Sequence, residues 1–136
     1  MSILVNRLKS LSDIGRLRSL ALIAACGELC VCEIQKVLVV TVSTASRNLG
    51  ELEAAGWLVS RRDGRWMHYS LAELDPEWEN FRRDILHLFR ATAVAKGDLE
   101  RRRALQSSSG GSICGTSADR DSKSGLGVRT LSAIET

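Results

Sequence analysis

The sequence predicts a mainly α-helical domain of about five helices with a small two-stranded β-hairpin, on three observations. Apolar residues recur at helical spacing before and after the middle of the chain. An Asp63-Gly64 dipeptide separates two extended runs, which is the strongest short-range signal for a hairpin. From Leu105 onward the composition turns to Ser, Gly and Thr with no apolar period that could pack a core. A chain of 136 residues, 44% hydrophobic and 26% charged, suits one globular domain. The expected organisation is a domain over residues 1–104 and a flexible tail over 105–136.

A short apolar stretch, Ile3 to Leu8, opens the ordered part. Ser12 or Asp13 then offers an N-cap, and Ile14, Leu17, Ala21 and Ala24 share one helical face. Gly27 supplies a left-handed end to that helix. The β-branched run Val37 to Thr44 favours a strand by propensity alone, yet Leu49, Leu52 and Ala55 hold a helical spacing that stops at Gly56. We therefore place a turn at Val39–Val40, an N-cap at Thr41 and a helix to Ala55. The hairpin follows, its tip basic. Asp75-Pro76-Glu77 combines a cap, the chain's only proline at the first helical position and an acid in the first turn. Trp78, Phe81, Ile85, Leu88, Phe89 and Thr92 then give the last long helix a broad apolar face.

No apolar run reaches the roughly 18 to 20 residues needed to cross a bilayer, and the amino terminus lacks the order of a signal peptide. The expected location is the cytoplasm, with no membrane partner. There the four cysteines, at positions 26, 30, 32 and 114, are reduced thiols with chemistry to do rather than staples. The net charge of +3 is too small to identify a nucleic-acid partner by itself.

Helix, turn, helix, glycine and basic hairpin, in that order, are the parts of a winged helix-turn-helix, whose second helix enters the DNA major groove. Ser43, Thr44, Ser46, Arg47 and Asn48 crowd the first turns of that helix with short polar groups suited to phosphates and base edges. Arg61, Arg62 and Arg65 surround the hairpin tip, while Asp63 shapes the turn. Caps and basic turns are individually common, so it is their combination that points to DNA.

Over approximately Leu8 to Leu71 the chain resembles the ArsR/SmtB-type metal-responsive repressors, and their arsenic-sensing branch in particular. Leu11-Ser-Asp-Ile-Gly-Arg-Leu-Arg resembles the family's opening Leu-Ser-Asp-Pro-Thr-Arg-Leu-Arg, with Ile14-Gly15 in place of Pro-Thr. Glu28-Leu-Cys-Val-Cys-Glu is similar to the arsenic-sensing signature, Thr41-Val-Ser-Thr-Ala-Ser-Arg-Asn-Leu to the recognition helix, and Gly64-Arg-Trp-Met-His-Tyr-Ser-Leu to the return strand of the wing. The resemblance implies a homodimer built with the first and last helices. Such a dimer occupies operator DNA when metal-free and lets go on binding its inducer; it is not an enzyme.

Cys30 and Cys32 are the candidate inducer ligands, because soft thiolates select soft ions such as arsenic(III) or antimony(III). Two residues apart on a regular helix means about 200° around the axis, so chelation by both requires an unformed first turn. Inducer binding would then compete with helix formation beside the DNA-reading helix. The best-known arsenic sensors carry a third cysteine where this chain has Gln35. Cys26, on the apolar face of a helix, and Cys114, in the tail, are the alternatives for a third ligand. His68 and His87 are too few for the zinc site that the family builds on its last helix, and Asp84-Ile-Leu-His87 has the wrong spacing. Other readings stay open: the same dimer switched by thiol oxidation or persulfidation, or by cadmium, and a winged-helix protein-interaction module. A thiol enzyme lacks both Cys-x-x-Cys spacing and a catalytic base.

Overall fold

The computed structural model describes residues 2–108. In chain order these form α1 (Ser2–Ser10), α2 (Ile14–Cys26), β1 (Glu28–Cys30), α3 (Val31–Leu38), α4 (Val42–Ala54), β2 (Leu58–Asp63), β3 (Trp66–Leu71), α5 (Pro76–Arg90) and α6 (Ala93–Ser108). The fold is a winged helix-turn-helix: α3 and α4 are the helix pair, and β2 and β3 the wing. Among the described residues no helix is long and apolar enough to cross a membrane.

Local chemistry sets most of the boundaries. Asp13 caps α2 by accepting the Arg16 N–H on its carboxylate at 3.0 Å, and Gly27 closes the helix at φ 96°. Thr41 caps α4, its hydroxyl accepting from the Thr44 N–H at 3.1 Å. Asp63 pairs with Trp66, so the hairpin loop is Gly64-Arg65, one residue beyond the expected Asp63-Gly64. Gly64 sits at φ 68° while Arg65 is not in the left-handed region, the pattern of a type II′ turn that puts glycine first.

Three features depart from expectation. The sheet has three antiparallel strands in the order β1-β3-β2, since Glu28, Leu29 and Cys30 pair with Ser70, Tyr69 and His68. Three residues are too few for an alternating pattern, and the long-range pairing decides. A sixth helix, α6, runs to Ser108, through the expected domain end at 104. Asp98 carboxylate oxygens accept from Arg18 of α2 at 2.8 and 3.0 Å, and Arg101 donates to the Val37 carbonyl of α3 at 2.9 Å. Lastly, α2 is buried on a wider face than its spacing suggested. Leu20 and Ile23 are fully buried, whereas Ile14 is 57% exposed.

The core gathers Leu20 and Ile23 of α2, Leu29 of β1, Ile34 and Val37 of α3, Leu49 and Leu52 of α4, and Trp57. Burying Trp57 completely obliges its indole N–H to find an acceptor, and the Ser10 hydroxyl takes it at 2.8 Å. Arg7 donates to the Ala55 carbonyl at 2.9 Å and lies 4.7 Å from the Trp78 ring centroid. These contacts tie α1 to the carboxyl end of α4, the second helix of the pair.

The turn between α3 and α4 carries one strained residue. Val39 adopts φ 59°, ψ 56°, a region that β-branched side chains avoid, and its side chain is 72% exposed. Val39→Asn should raise the free energy of unfolding by about 1 kcal/mol, because asparagine tolerates this backbone and little packing is lost. Urea denaturation checks it; a fall in stability would show that Val39 contributes more than it strains.

Candidate nucleic-acid interface and thiol pair

The back of α4 is fastened by Ala45, Leu49 and Leu52 in the core, which leaves Val42, Ser43, Ser46, Arg47 and Gly50 exposed along the opposite side. Thr44 is half-buried, its hydroxyl accepting from Thr41 at 3.1 Å. Asn48 is buried and faces inward. A Cβ built on Gly15 would lie 2.9 Å from its amide nitrogen, so the glycine at the start of α2 makes the room Asn48 occupies. Val42 and Gly50 join the exposed face by three- and four-residue spacing from Ser46 and Arg47, a signal that lies in periodicity and not in side-chain polarity.

On the wing, Arg62 and Arg65 are exposed, and among the described residues neither side chain makes a hydrogen bond or ion pair. Arg61 differs. Its Nε and Nη2 donate to the two carboxylate oxygens of Glu28 at 2.9 and 2.8 Å, and Asp63 lies 4.0 Å from its Nη1. No local pattern could have found Glu28, whose partner is 33 residues away.

The thiol pair straddles an element boundary and not one helix. Cys30 is the last residue of β1 and the N-cap of α3, with extended backbone at φ −93°, ψ 164°; Cys32 is the second residue of the helix. The Cys30 N–H donates to Glu33 Oε1 at 3.0 Å, the reciprocal half of a capping box. Cys30 is 4% exposed, and Cys32 is half-buried and disulfide-bonded. Burial first, and then the Glu33 carboxylate, push the Cys30 thiol from its ordinary 9.0 up to about 12, against the pull of the Cys32 and Glu33 backbone N–H groups. Burial likewise raises Cys26 to about 11. Among the described residues no three His, Cys, Asp or Glu side chains are gathered as a metal site. His68 lies on β3 opposite Cys30, His87 is exposed on α5, and Cys114 lies outside the described residues.

The raised Cys30 value carries a pH signature. Folding favours the neutral thiol, so that stabilisation is complete below pH 9 and is lost as pH rises toward 12. Unfolding measured under reducing conditions should show alkaline destabilisation beginning near pH 9 and weaker in Cys30→Ser. Identical alkaline limbs in the two proteins would refute the assignment.

No protein-family model matches the chain. It is 46% identical over 70 residues to an arsenic resistance transcriptional regulator of Pseudomonas putida, covering 52% of this chain and 61% of that protein. It is 36% identical over 74 residues to the arsenical resistance operon repressor of Escherichia coli, covering 54% and 63%. A cadmium resistance regulatory protein of Listeria innocua is 33% identical over 66 residues, covering 48% and 56%. The chain thus spans about three-fifths of the length of the first of these relatives. Among solved structures, a homodimeric winged helix-turn-helix DNA-binding domain from Mycobacterium bovis superposes with a TM-score of 0.54 at 29% identity, covering 65% of this chain and 76% of that one. An antimony-specific transcriptional repressor superposes with a TM-score of 0.53 at 28% identity, covering 64% and 77%. These relatives are transcriptional regulators, not enzymes.

Proposed function

We propose that this winged helix-turn-helix chain is a homodimeric repressor of the ArsR/SmtB type, released from operator DNA by arsenic(III) or antimony(III) at Cys30 and Cys32. The observation that carries this reading is the place of Cys30, which ends a strand of the wing's sheet and caps the first helix of the DNA-reading pair. A soft ligand drawn to that sulfur acts on both elements that would meet DNA.

In the metal-free state Ser43, Ser46 and Arg47 face the major groove, Thr44 steadies the start of the helix, and Arg62 and Arg65 lie along the flanking phosphates. Asn48 supports the helix from behind. Ile3, Leu4, Val5 and Leu8 of α1 and Leu88 of α5 are exposed large apolar groups, the material for an interface with a second copy. On meeting arsenite, the Cys30 thiol would exchange for one arsenic hydroxyl, its proton leaving with that hydroxyl as water, and Cys30 would give up its capping place. Cys32, once its disulfide is reduced by a small-molecule thiol, would share the ion from the first turn of α3, and drawing the two sulfurs together would disturb the start of that helix and the support it gives α4. A third sulfur would come from Cys26 or from Cys114 in the Ser/Gly-rich segment that follows the domain.

The disulfide at Cys32 favours a second reading in which the same dimer is switched by thiol oxidation. Titration of the reduced protein on a fluorescent operator duplex separates the two. Release by arsenite or antimonite supports the first reading, and release by cadmium moves the inducer class to divalent ions. Release by peroxide alone supports the second, and retention of DNA throughout rejects both.

A further inference from the structure

The sensor strand and the wing are parts of one sheet. β1 carries Cys30 and pairs with β3, which returns from the wing tip and pairs in turn with β2. Cys30, His68 and Arg61 occupy one row across the three strands. From the far strand Arg61 reaches over β3 and closes its guanidinium fork on Glu28, two residues before Cys30, at 2.8 and 2.9 Å. Both forward positions of the fork are thereby occupied, unlike those of Arg62 and Arg65. A two-point Arg–carboxylate contact fixes geometry, whereas at a solvent-facing position it contributes little to stability. The pair is suited to setting where the wing stands.

We propose that Glu28 is a positioning residue that ties wing strand β2 to the sensor strand through Arg61. Displacement of Cys30 then draws the wing away from DNA, and Arg61 belongs to the switch rather than to the phosphate contacts. This rests on the repressor reading above, and it adds a route from sulfur to DNA that does not pass through α3.

The test uses the full, reduced chain on an operator duplex, as wild type, Arg61→Ala, Glu28→Ala, the double variant, and Arg62→Ala as the contact control. Affinity is measured against salt and against arsenite. Arg62→Ala should lower the salt slope by about one, as the loss of a phosphate contact does, while Arg61→Ala leaves it unchanged. The arsenite-induced loss of affinity should shrink by about threefold or more in each of Arg61→Ala and Glu28→Ala. The double variant should do no worse than either, the sign of one shared interaction. A salt slope that falls in Arg61→Ala as in Arg62→Ala, or an arsenite response unaltered in both single variants, overturns the proposal. If wild type binds the operator and ignores arsenite, the inducer reading fails by itself, and the salt slopes still decide whether Arg61 touches phosphate.

Discussion

Cys30→Ser should bind operator DNA as wild type does, while its affinity for arsenite falls by at least about 100-fold. Loss of a mere outer partner of a metal ligand costs 10- to 100-fold, and here the ligand itself is removed. The substitution is clean because of where Cys30 sits. Serine is among the best N-cap residues, and its hydroxyl can accept the N–H that the sulfur now faces, so α3 and the Glu33 half of the capping box should persist. Ultraviolet absorption of sulfur–arsenic bonding and operator release read out the two properties separately. Arsenite release that survives in a Cys30→Ser, Cys32→Ser double variant would remove the pair from the mechanism. Loss of DNA binding in metal-free Cys30→Ser would show that the sulfur itself supports the recognition helix.

Arg47→Ala combined with Arg62→Ala should weaken operator binding by roughly 10- to 100-fold near physiological salt and lower the salt slope by about two. Both side chains are exposed, one on the outer face of α4 and one on the wing, so thermal stability should change by less than about 0.5 kcal/mol. Affinity is where the effect belongs. Fluorescence anisotropy over a salt series gives both quantities, and an unchanged affinity would turn the reading toward a protein-interaction module that keeps the fold without its DNA partner.

Where a residue decides its own backbone, the sequence was readable. Asp13, Gly27, Thr41 and Gly64 act through one hydrogen bond or one dihedral angle, and the boundaries they mark stand where their chemistry puts them, the hairpin loop differing by a single residue. The β-branched run before α4 was also legible, since helical spacing of Leu49 and Leu52 outweighed strand propensity. Strand β1 and helix α6 were not. A three-residue strand exists only because β3 lies beside it, and α6 is anchored by Asp98 and Arg101 reaching Arg18 and Val37, contacts with no trace in local spacing.

The candidate site divides in the same way. The sequence by itself determined which chemistry is present: hydroxyls and a guanidinium on one helix, arginines about a turn, and two thiols two residues apart. Tertiary structure alone decided how each is used. It turned Asn48 inward against Gly15, closed Arg61 on Glu28, and split the thiols between the end of a strand and the first turn of a helix. The physical reason is that side-chain identity and short-range spacing are local properties. Burial, ion pairing and strand registry depend on partners tens of residues away, which only the packed chain brings within reach.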